Sequence, residues 1–144
     1  MMQNIRIRNS TLKDKNKIYQ ILKKPRRDAY TEQLVIDLIK NKPSICLVAI
    51  SSNKIVGCAG ARREGYKAYW IYFIDVIKEF RNHGIGTMLM NKLLEKAKKL
   101  GANKIAIDTP NKRFPLKFGF KIVGKLPNWQ AKNKTQYIMF KKLK

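Results

Sequence analysis

The sequence predicts a mixed α/β fold in which about seven strands and about four helices share one core. Short apolar runs, of the kind that form buried or half-buried strands, recur along the chain. Between them lie segments whose apolar residues repeat at helical spacing, and three of these end at a proline or a glycine. A chain of 144 residues with a hydrophobic fraction of 44% can bury a core as a single domain, residues 1–144.

The first third of the chain contains one predicted strand and two predicted helices. Asn4 to Arg8 alternate apolar and basic residues, as a strand does. The motif Thr11-x-x-Asp14 resembles a capping box that opens a helix, and Pro25 ends this helix. Residues 25–30 form a basic linker before Thr31, which can cap a second helix that ends at Pro43. The apolar stripes of the two helices are Ile18, Ile21 and Leu22, and Leu34, Val35, Leu38 and Ile39.

Three strands follow in close succession. They are predicted over Ile45 to Ile50, Ile55 to Ala61 and Tyr69 to Val76. Polar and charged residues separate them and predict turns over residues 51–54 and 62–67. The sequence therefore predicts two consecutive hairpins in the middle of the chain.

The last part of the chain begins with the strongest helical pattern, Thr87 to Leu100, which Gly101 ends. A short strand is predicted over Lys104 to Ile107, and a short helix or turn over residues 109–118. Two final strands cover Lys121 to Val123 and Tyr137 to Phe140. The complete order is β-α-α-β-β-β-α-β-α-β-β.

The most informative stretch links the strand ending at Val76 to the long helix, and it reads Arg81-Asn82-His83-Gly84-Ile85-Gly86-Thr87. Glycines let the backbone turn tightly and bring its N–H groups close to an anion. The helix that follows adds unpaired N–H donors and about half a positive charge of dipole. This turn is therefore predicted to bind phosphate groups.

Two common phosphate-binding turns do not fit this stretch. A P-loop ends in Gly-Lys-Ser/Thr, and a Rossmann turn has a third glycine where this chain has Leu89. The stretch instead resembles motif A of the GNAT family of N-acetyltransferases, Arg/Gln-x-x-Gly-x-Gly/Ala. The order of elements is also that of the family, so the resemblance covers nearly the whole chain and is weakest over residues 124–136. It implies a GNAT-like acyl-CoA N-acyltransferase fold with a mixed, mostly antiparallel central sheet.

The resemblance also implies acetyl-CoA as co-substrate. The glycine-rich turn would bind its pyrophosphate. The backbone of Ile74, Asp75 and Val76 would hold the pantetheine arm where the fourth and fifth strands splay apart, and Asn111 would be the remnant of a cofactor-binding asparagine. The implied cofactor-binding residues are Ile74, Asp75, Val76, Arg81, Asn82, His83, Gly84, Ile85, Gly86, Thr87 and Asn111.

The catalytic groups implied by the family are less well matched. The second family motif, Asn-x-x-Ala-x-x-Phe-Tyr-x-x-x-Gly-Phe, is present at Phe114, Gly119 and Phe120, but Pro115 replaces the tyrosine that protonates the leaving thiolate in much of the family. Tyr137 is a second candidate for this proton donor, and an aromatic residue packed on an edge strand is the other interpretation. Asp75 is the carboxylate expected near the gap. It is a candidate general base, with an ion pair to a nearby cation as the alternative.

The charge of the chain is unusual, with 32 Lys and Arg against nine Asp and Glu, or a formal net charge of +23. Such a charge favours polyphosphate ligands and predicts nonspecific association with nucleic acid at low salt. The lysines are spread along the whole chain, which is also typical of a basic surface with no specific partner. Cys46 and Cys58 lie in apolar runs and are predicted to be small buried hydrophobes, and neither a metal site nor a membrane segment is expected. We expect a cytoplasmic protein.

The sequence therefore predicts an N-acetyltransferase that moves an acetyl group from acetyl-CoA to a primary amine of a small molecule or a protein, by direct attack in a ternary complex. The alternatives are a non-catalytic acyl-CoA-binding regulator and a basic, nucleic-acid-associated module on the same fold. Acceptor selection is expected from residues 25–32 and 126–135, with Tyr30 and Trp129 as aromatic surfaces. The acceptor, the acyl chain and the oligomeric state are not defined by the sequence, which is compatible with a homodimer.

Overall fold

A computed structural model describes residues 4–23 and 30–144. Seven strands and four helices are found in this part of the chain. The strands are β1 (Ile5–Asn9), β2 (Ile45–Ser51), β3 (Lys54–Gly65), β4 (Ala68–Val76), β5 (Lys104–Thr109), β6 (Lys121–Leu126) and β7 (Gln136–Lys142). The helices are α1 (Lys15–Leu22), α2 (Glu32–Lys40), α3 (Ile85–Lys99) and α4 (Arg113–Leu116). The predicted order of elements is confirmed.

The seven strands form one sheet in the order β1-β2-β3-β4-β5-β7-β6. Only β4 and β5 are parallel among these described strands, and the other neighbours are antiparallel. A parallel pair needs a long crossover, which α3 provides. The predicted mixed, mostly antiparallel sheet is confirmed.

The sheet opens between β4 and β5. Their pairing begins at Ala68↔Lys104 and ends at Ile71↔Ile107, although β4 continues to Val76. A β-bulge lies at the same place, because Ala61 of β3 pairs with Ile71 and Gly60 pairs with Phe73, which leaves Tyr72 as the extra residue. The carboxyl-terminal half of β4 is therefore paired with β3 on one edge and borders a gap on the other.

Each face of the sheet has its own apolar core. On one face, α3 packs through Ile85, Leu89 and Leu93 against residues that include Ile71 and Ile107. On the other face, α1 and α2 pack against β2, β3 and Phe73. The bulge sends Phe73 to this second core, and a Cβ on Gly60 would lie only 2.6 Å from its ring, so glycine is needed there.

Helix starts and ends follow the sequence closely. Thr31 caps α2 by accepting the backbone N–H of Leu34 at 3.1 Å, and Asp14 accepts the backbone N–H of Thr11 at 2.8 Å, as the capping box predicts. The capped turn is a short 3-10 segment, Leu12–Asp14, that runs directly into α1. The proline predicted to end α1, Pro25, and residues 26–29 of the basic linker lie outside the described residues.

The turn predicted over residues 62–67 is wrong in extent. β3 continues through Arg62, Arg63 and Glu64 to Gly65, and the chain reverses at Tyr66 and Lys67. These charged residues are exposed, since the end of the β3–β4 hairpin extends beyond both cores. These residues are polar because both faces of the strand contact solvent there, and their polarity does not mark a turn. No helix within the described ranges has the length and apolar character needed to cross a membrane.

Candidate functional site

The gap between β4 and β5 opens into a cleft of about 680 Å³. Its walls come from β4, the loop before α3, the first turn of α3, the end of β5 with the turn that follows, α4 and the loop before β7. The lining includes residues from both faces of the sheet, such as Gly86 in α3 and Tyr30 on the side of α1 and α2. The cleft therefore passes through the sheet and has two ends.

One end, which we call the α3 end, is formed by residues 81–87. Gly84 has φ of +80°, which favours glycine, and no side chain in the described part of the chain caps the helix there. The first intrahelical bond of α3 runs from the N–H of Met88 to the carbonyl of Gly84 at 3.0 Å. The amides of Ile85, Gly86 and Thr87 precede it and have no helical acceptor, so they can donate to an anion.

The loop before α3 is fixed to β4 by a side chain. Arg81 donates from Nε to the carbonyl oxygen of Val76 at 3.0 Å, which leaves the outer nitrogens of its guanidinium for other acceptors. Asn82 follows with φ of +64°, a left-handed conformation that asparagine tolerates. The bond from Arg81 to Val76 therefore holds the anion-binding amides at a fixed distance from the end of β4.

The unpaired edge of β4 presents backbone groups to the gap. Ile77 donates its N–H to Val56 on β3 at 2.9 Å, and backbone groups alternate along a strand, so those of Ile74 and Val76 point the other way, into the gap. The carbonyl of Val76 accepts from Arg81, and the carbonyl of Tyr72 accepts the hydroxyl of Tyr30 at 2.6 Å. The N–H and carbonyl of Ile74 lie between these two fixed positions.

The wall opposite β4 is formed by the turn after β5 and by α4. Asn111 lines the cleft, and its N–H donates to the hydroxyl of Thr109 at 3.0 Å. Phe114 packs edge-on against Phe118 and lies 3.5 Å from where a Cβ on Gly86 would be. Pro115, at the position of the family's tyrosine, is buried and lines the cleft without a hydroxyl.

The other end of the cleft, which we call the Asp108 end, lies on the face opposite α3. Ile107 packs in the α3-side core, so Asp108, the next residue of β5, points to the opposite face. Its Oδ1 accepts from Nε1 of Trp70 at 2.8 Å, and its Oδ2 accepts from Nε2 of Gln136 at 2.9 Å. Sequence reasoning missed Asp108. The available signal was its place at the end of an apolar strand beside the expected gap.

Tyrosines complete this end. The ring of Tyr30 lies edge-on to Phe73, with 6.0 Å between ring centres, and its hydroxyl reaches the bulged carbonyl of Tyr72. The Tyr72 hydroxyl donates to Glu64. Burial, and secondarily this bond to a carboxylate, raise the pKa of Tyr72, so its hydroxyl keeps its proton at neutral pH.

The structure brings most of the predicted site residues together. Those that line the cleft are Ile74, Asp75, Val76, Arg81, Asn82, Gly84, Ile85, Gly86, Thr87 and Asn111. His83 lies in the same loop but is exposed and is not among the lining residues. Tyr137 is also absent from the lining; it packs against the α3-side core, and Nζ of Lys112 lies 5.1 Å from its ring centre. Its role as proton donor stays a prediction.

Carboxylates are scarce near the cleft, as the composition requires. Two of the nine acidic residues, Asp75 and Asp108, line it. Both are half-buried, and they come from the two strands that border the gap. Four lining residues carry a hydroxyl, namely Tyr30, Tyr72, Thr87 and Thr109. No group of three metal-ligating side chains is found within residues 4–23 and 30–144.

Comparison with known proteins agrees with this geometry. The model of the acetyltransferase (GNAT) family matches residues 15–120. N-alpha-acetyltransferase 30 of Schizosaccharomyces pombe is 24% identical over 96 residues, and the match spans 64% of this chain and 64% of that relative. The crystal structure of Ard1 from Thermoplasma volcanium superposes with a TM-score of 0.85, 24% identity, and coverage of 97% of this chain and 98% of that one. An aminoglycoside 6'-N-acetyltransferase complexed with coenzyme A gives a TM-score of 0.82 at 20% identity, with 96% and 97% covered.

Proposed function

Because the chain belongs to the acetyltransferase (GNAT) family, we propose that it transfers an acetyl group from acetyl-CoA to a primary amine by direct attack in a ternary complex. The family uses acetyl-CoA as its co-substrate. The observation that carries the proposal is the cleft through the sheet, which joins a cluster of anion-binding amides on one face to polar side chains on the other. Two substrates can therefore approach one gap from opposite sides.

The residues present fit acetyl-CoA. The amides of Ile85, Gly86 and Thr87 would bind its diphosphate, with the guanidinium of Arg81 beside them. The open edge of β4 would pair with the amide groups of an extended pantetheine arm, as an added strand does. A formal net charge of +23 further favours a ligand that carries several phosphates.

Bound acetyl-CoA supplies an activated acyl carbon and a good leaving group. The backbone N–H of Ile74 would donate to the thioester oxygen, where negative charge develops as the amine attacks. A preorganised donor of this kind is typically worth about 3 kcal/mol of barrier. The bonds that hold the backbone on both sides of Ile74 keep this N–H in position.

In the acetyl transfer, the amine nitrogen forms the new C–N bond, and the C–S bond breaks with its electron pair on sulfur. The amine must lose a proton, and Asp75 is the candidate base on the β4 side. Pro115 offers no proton to the sulfur. A thiol with a pKa of about 8.5, like that of free cysteine, leaves readily as a thiolate, so the step does not depend on an acid at that position.

The acceptor we favour is the α-amino group of a peptide or protein. N-alpha-acetyltransferase 30 is the relative that supports this choice. The formal net charge of +23 favours acceptors with acidic groups next to the amine and disfavours polyamines. The structural likeness to an aminoglycoside 6'-N-acetyltransferase makes aminoglycosides the second acceptor class to test.

The proposal is tested by binding and turnover on the same preparation. Acetyl-CoA should raise the melting temperature, because a ligand that binds only the folded state adds RT ln(1 + [L]/Kd) to its stability. Release of the CoA thiol is then measured with unblocked peptides that begin Ala-Asp-Glu and Ala-Lys-Lys, and with an aminoglycoside that bears a 6'-amine. We expect release above the rate without an amine, and faster with the acidic peptide. No melting shift at millimolar acetyl-CoA would contradict the proposal.

Two other outcomes identify the alternatives. A melting shift without thiol release from any amine would favour an acyl-CoA-binding regulator. Binding to nucleic acid that persists at 200 mM salt would favour a nucleic-acid-associated module, whereas binding that disappears between 50 and 200 mM salt would reflect bulk charge alone.

A further inference from the structure

Asp108 differs in its surroundings from Asp14 and Glu95, two carboxylates that the protein pairs with its own cations. Asp14 forms a bidentate ion pair with Arg8, and Glu95 forms ion pairs with Lys92 and Lys99 on α3. Asp108 accepts from two neutral donors, Trp70 and Gln136, and no ion pair to it is found within the described ranges. In a chain with 32 Lys and Arg, it is unexpected that no described cation lies within ion-pair distance of a half-buried carboxylate.

The two neutral donors fix the direction in which Asp108 can bind something else. A carboxylate has about four acceptor positions, and Trp70 and Gln136 use one on each oxygen. Gln136 is only 3% exposed and holds its amide against Asp108, so this side of the carboxylate is closed. Asp108 and Gln136 both line the cleft, so a ligand there can approach the acceptor positions that remain.

The place of Asp108 relates it to the acceptor and not to acetyl-CoA. It follows Ile107, the last β5 residue paired with β4, so it lies where the strands diverge. It also points to the face opposite α3, away from the amides that would bind the diphosphate. A second substrate that enters from this face therefore approaches the gap on the side where Asp108 lies.

We propose that Asp108 is the residue that recognises the acceptor, by binding its protonated primary amine at the mouth of the gap. The inference rests on the proposed function. It adds that the acceptor binds as a cation, which places a positive charge beside the Asp108 carboxylate. The half-buried carboxylate is costly without a counter-ion, and the ammonium of the substrate offsets this cost. Trp70 and Gln136 are positioning residues that act through Asp108.

Trp70 makes this proposal measurable without turnover. Its indole N–H is bound to Asp108, so a cation that binds the carboxylate changes the surroundings of the indole. The chain has two tryptophans, and Trp129 is 64% exposed in the loop before β7. A Trp129→Phe background therefore leaves Trp70 as the sole tryptophan reporter.

The experiment titrates this background, saturated with CoA so that no transfer occurs, with an unblocked Ala-Asp-Glu peptide, its Nα-acetylated form, and a 6'-amine aminoglycoside. We expect a saturable change in emission with at least one free amine and none with the blocked peptide. Asp108→Asn in the same background should weaken that binding at least tenfold. Asp37→Asn is the matched control, because Asp37 also accepts from a glutamine amide, that of Gln33 at 2.8 Å, but lies on α2 away from the cleft.

Several results would overturn the proposal: equal affinity in the Asp108→Asn and parent proteins, an equal response to the blocked peptide, or no saturable response to any of the three probes. A purely structural Asp108 would lower the melting temperature of the Asn variant and leave the amine affinity unchanged. The melting shift with acetyl-CoA is recorded for every variant. If that shift is present while the amine response fails, Asp108 is excluded and the acetyl-CoA site stands, whereas loss of the shift in the parent protein removes the proposed function itself.

Discussion

The two ends of the cleft recognise ligands by different means. The α3 end uses backbone amides, with Gly84 and Gly86 in the turn and one side chain, Arg81, fixed to β4. The Asp108 end uses side chains that come from distant parts of the chain, namely Tyr30, Trp70, Asp108 and Gln136. One end is built from a single continuous segment, and the other is assembled by the fold.

This difference has a physical consequence. Backbone donors at a helix terminus bind any phosphate of suitable shape, and a side-chain substitution removes them only by blocking access or straining the turn. At the Asp108 end each polar group belongs to a single side chain, so one substitution removes one group and leaves the backbone amides of the α3 end in place. The α3 end is therefore suited to a ligand that carries phosphate groups, and the ligand preference of the Asp108 end depends on a few individual side chains.

The largest effect is expected from blocking the α3 end. In Gly86→Leu the new side chain would point at the ring of Phe114, which already lies 3.5 Å from the Cβ position, so it must occupy the space of the diphosphate or displace the ring. We expect the Kd for acetyl-CoA to rise about a hundredfold, or about 3 kcal/mol, the worth of two charge-assisted hydrogen bonds. Calorimetric titration with acetyl-CoA measures it.

Gly65→Leu is the control for this substitution. Gly65 lies at the exposed end of the β3–β4 hairpin, and only the Cβ of Ala68, at 3.6 Å, is close to its Cβ position. This variant should bind acetyl-CoA as the parent does. An unchanged Kd in Gly86→Leu would mean that the diphosphate lies elsewhere.

The next effect concerns the backbone of β4 near Tyr72, which lies between the two ends of the cleft. Tyr30→Phe removes the hydroxyl that holds the bulged carbonyl of Tyr72, two residues from the N–H that would polarise the thioester. We expect kcat to fall about tenfold, or about 1.4 kcal/mol of barrier. Tyr137→Phe should change kcat less than twofold (about 0.4 kcal/mol), because Tyr137 is outside the cleft lining.

Rates of thiol release by the two tyrosine variants across pH separate the possible roles. If Tyr137 donates the proton to the departing sulfur, its variant will show the larger loss and will lose the alkaline limb of the kcat profile. That result would restore the role predicted from the sequence. A loss confined to Tyr30→Phe would assign the effect to the fixed carbonyl of Tyr72.

The sequence predicted the α3 end well because all of its determinants are local. The glycines, the preceding strand and the following helix lie within residues 69–100, and each has a recognisable pattern. The prediction placed the helix start at Thr87, whereas α3 begins at Ile85, since Gly84 with its left-handed φ is the residue that precedes the helix. The predicted and observed starts of the helix differ by only two residues.

The Asp108 end could not be predicted in the same way. Trp70, Asp108 and Gln136 are separated by 38 and 28 residues along the chain, and they meet only because β4, β5 and β7 are neighbours in that order. Local patterns place Trp70 in a strand and leave Gln136 just before the strand predicted from Tyr137, with no sign that the two share a carboxylate. The bulge at Tyr72, which decides where the gap opens, likewise depends on the register with β3.

A smaller effect is expected from removing one of the donors that position Asp108. Trp70→Phe keeps the ring in the sheet but removes the N–H that binds Oδ1 at 2.8 Å. Loss of such a bond is worth about 1 kcal/mol, so we expect the KM for the amine to rise about fivefold. The KM for acetyl-CoA should not change, because the indole lies on the face opposite α3.

Steady-state kinetics with each substrate varied in turn provides this comparison. Phe140→Leu, another aromatic change on the same sheet in β7, controls for general loosening of the strands. Equal changes in the two KM values of Trp70→Phe would show that the indole supports the whole cleft and not the acceptor alone.

The last effect, on stability and not on turnover, tests the contrast between a carboxylate that the protein pairs and one that it leaves for a ligand. Arg8 donates to both oxygens of Asp14, at 2.8 and 3.1 Å, and these bonds, with that from the N–H of Thr11, hold the pKa of Asp14 below its ordinary value of 3.8. A carboxyl whose pKa is lowered by folding adds stability above its unfolded pKa and loses it as the pH falls through the folded value. Because the Arg8 side chain is 36% exposed, solvent screens the pair, and we expect Asp14→Asn to cost about 1 kcal/mol at pH 7.

Urea unfolding at pH 7 and at steps below pH 4 measures this difference in stability. The difference should shrink as the pH falls. At pH 7, Asp108→Asn should change the stability less than Asp14→Asn does, and acetyl-CoA should not enlarge that change. A difference for Asp14→Asn that persists unchanged at pH 2 would mean that its stabilising role lies in the cap of the first turn and not in its charge.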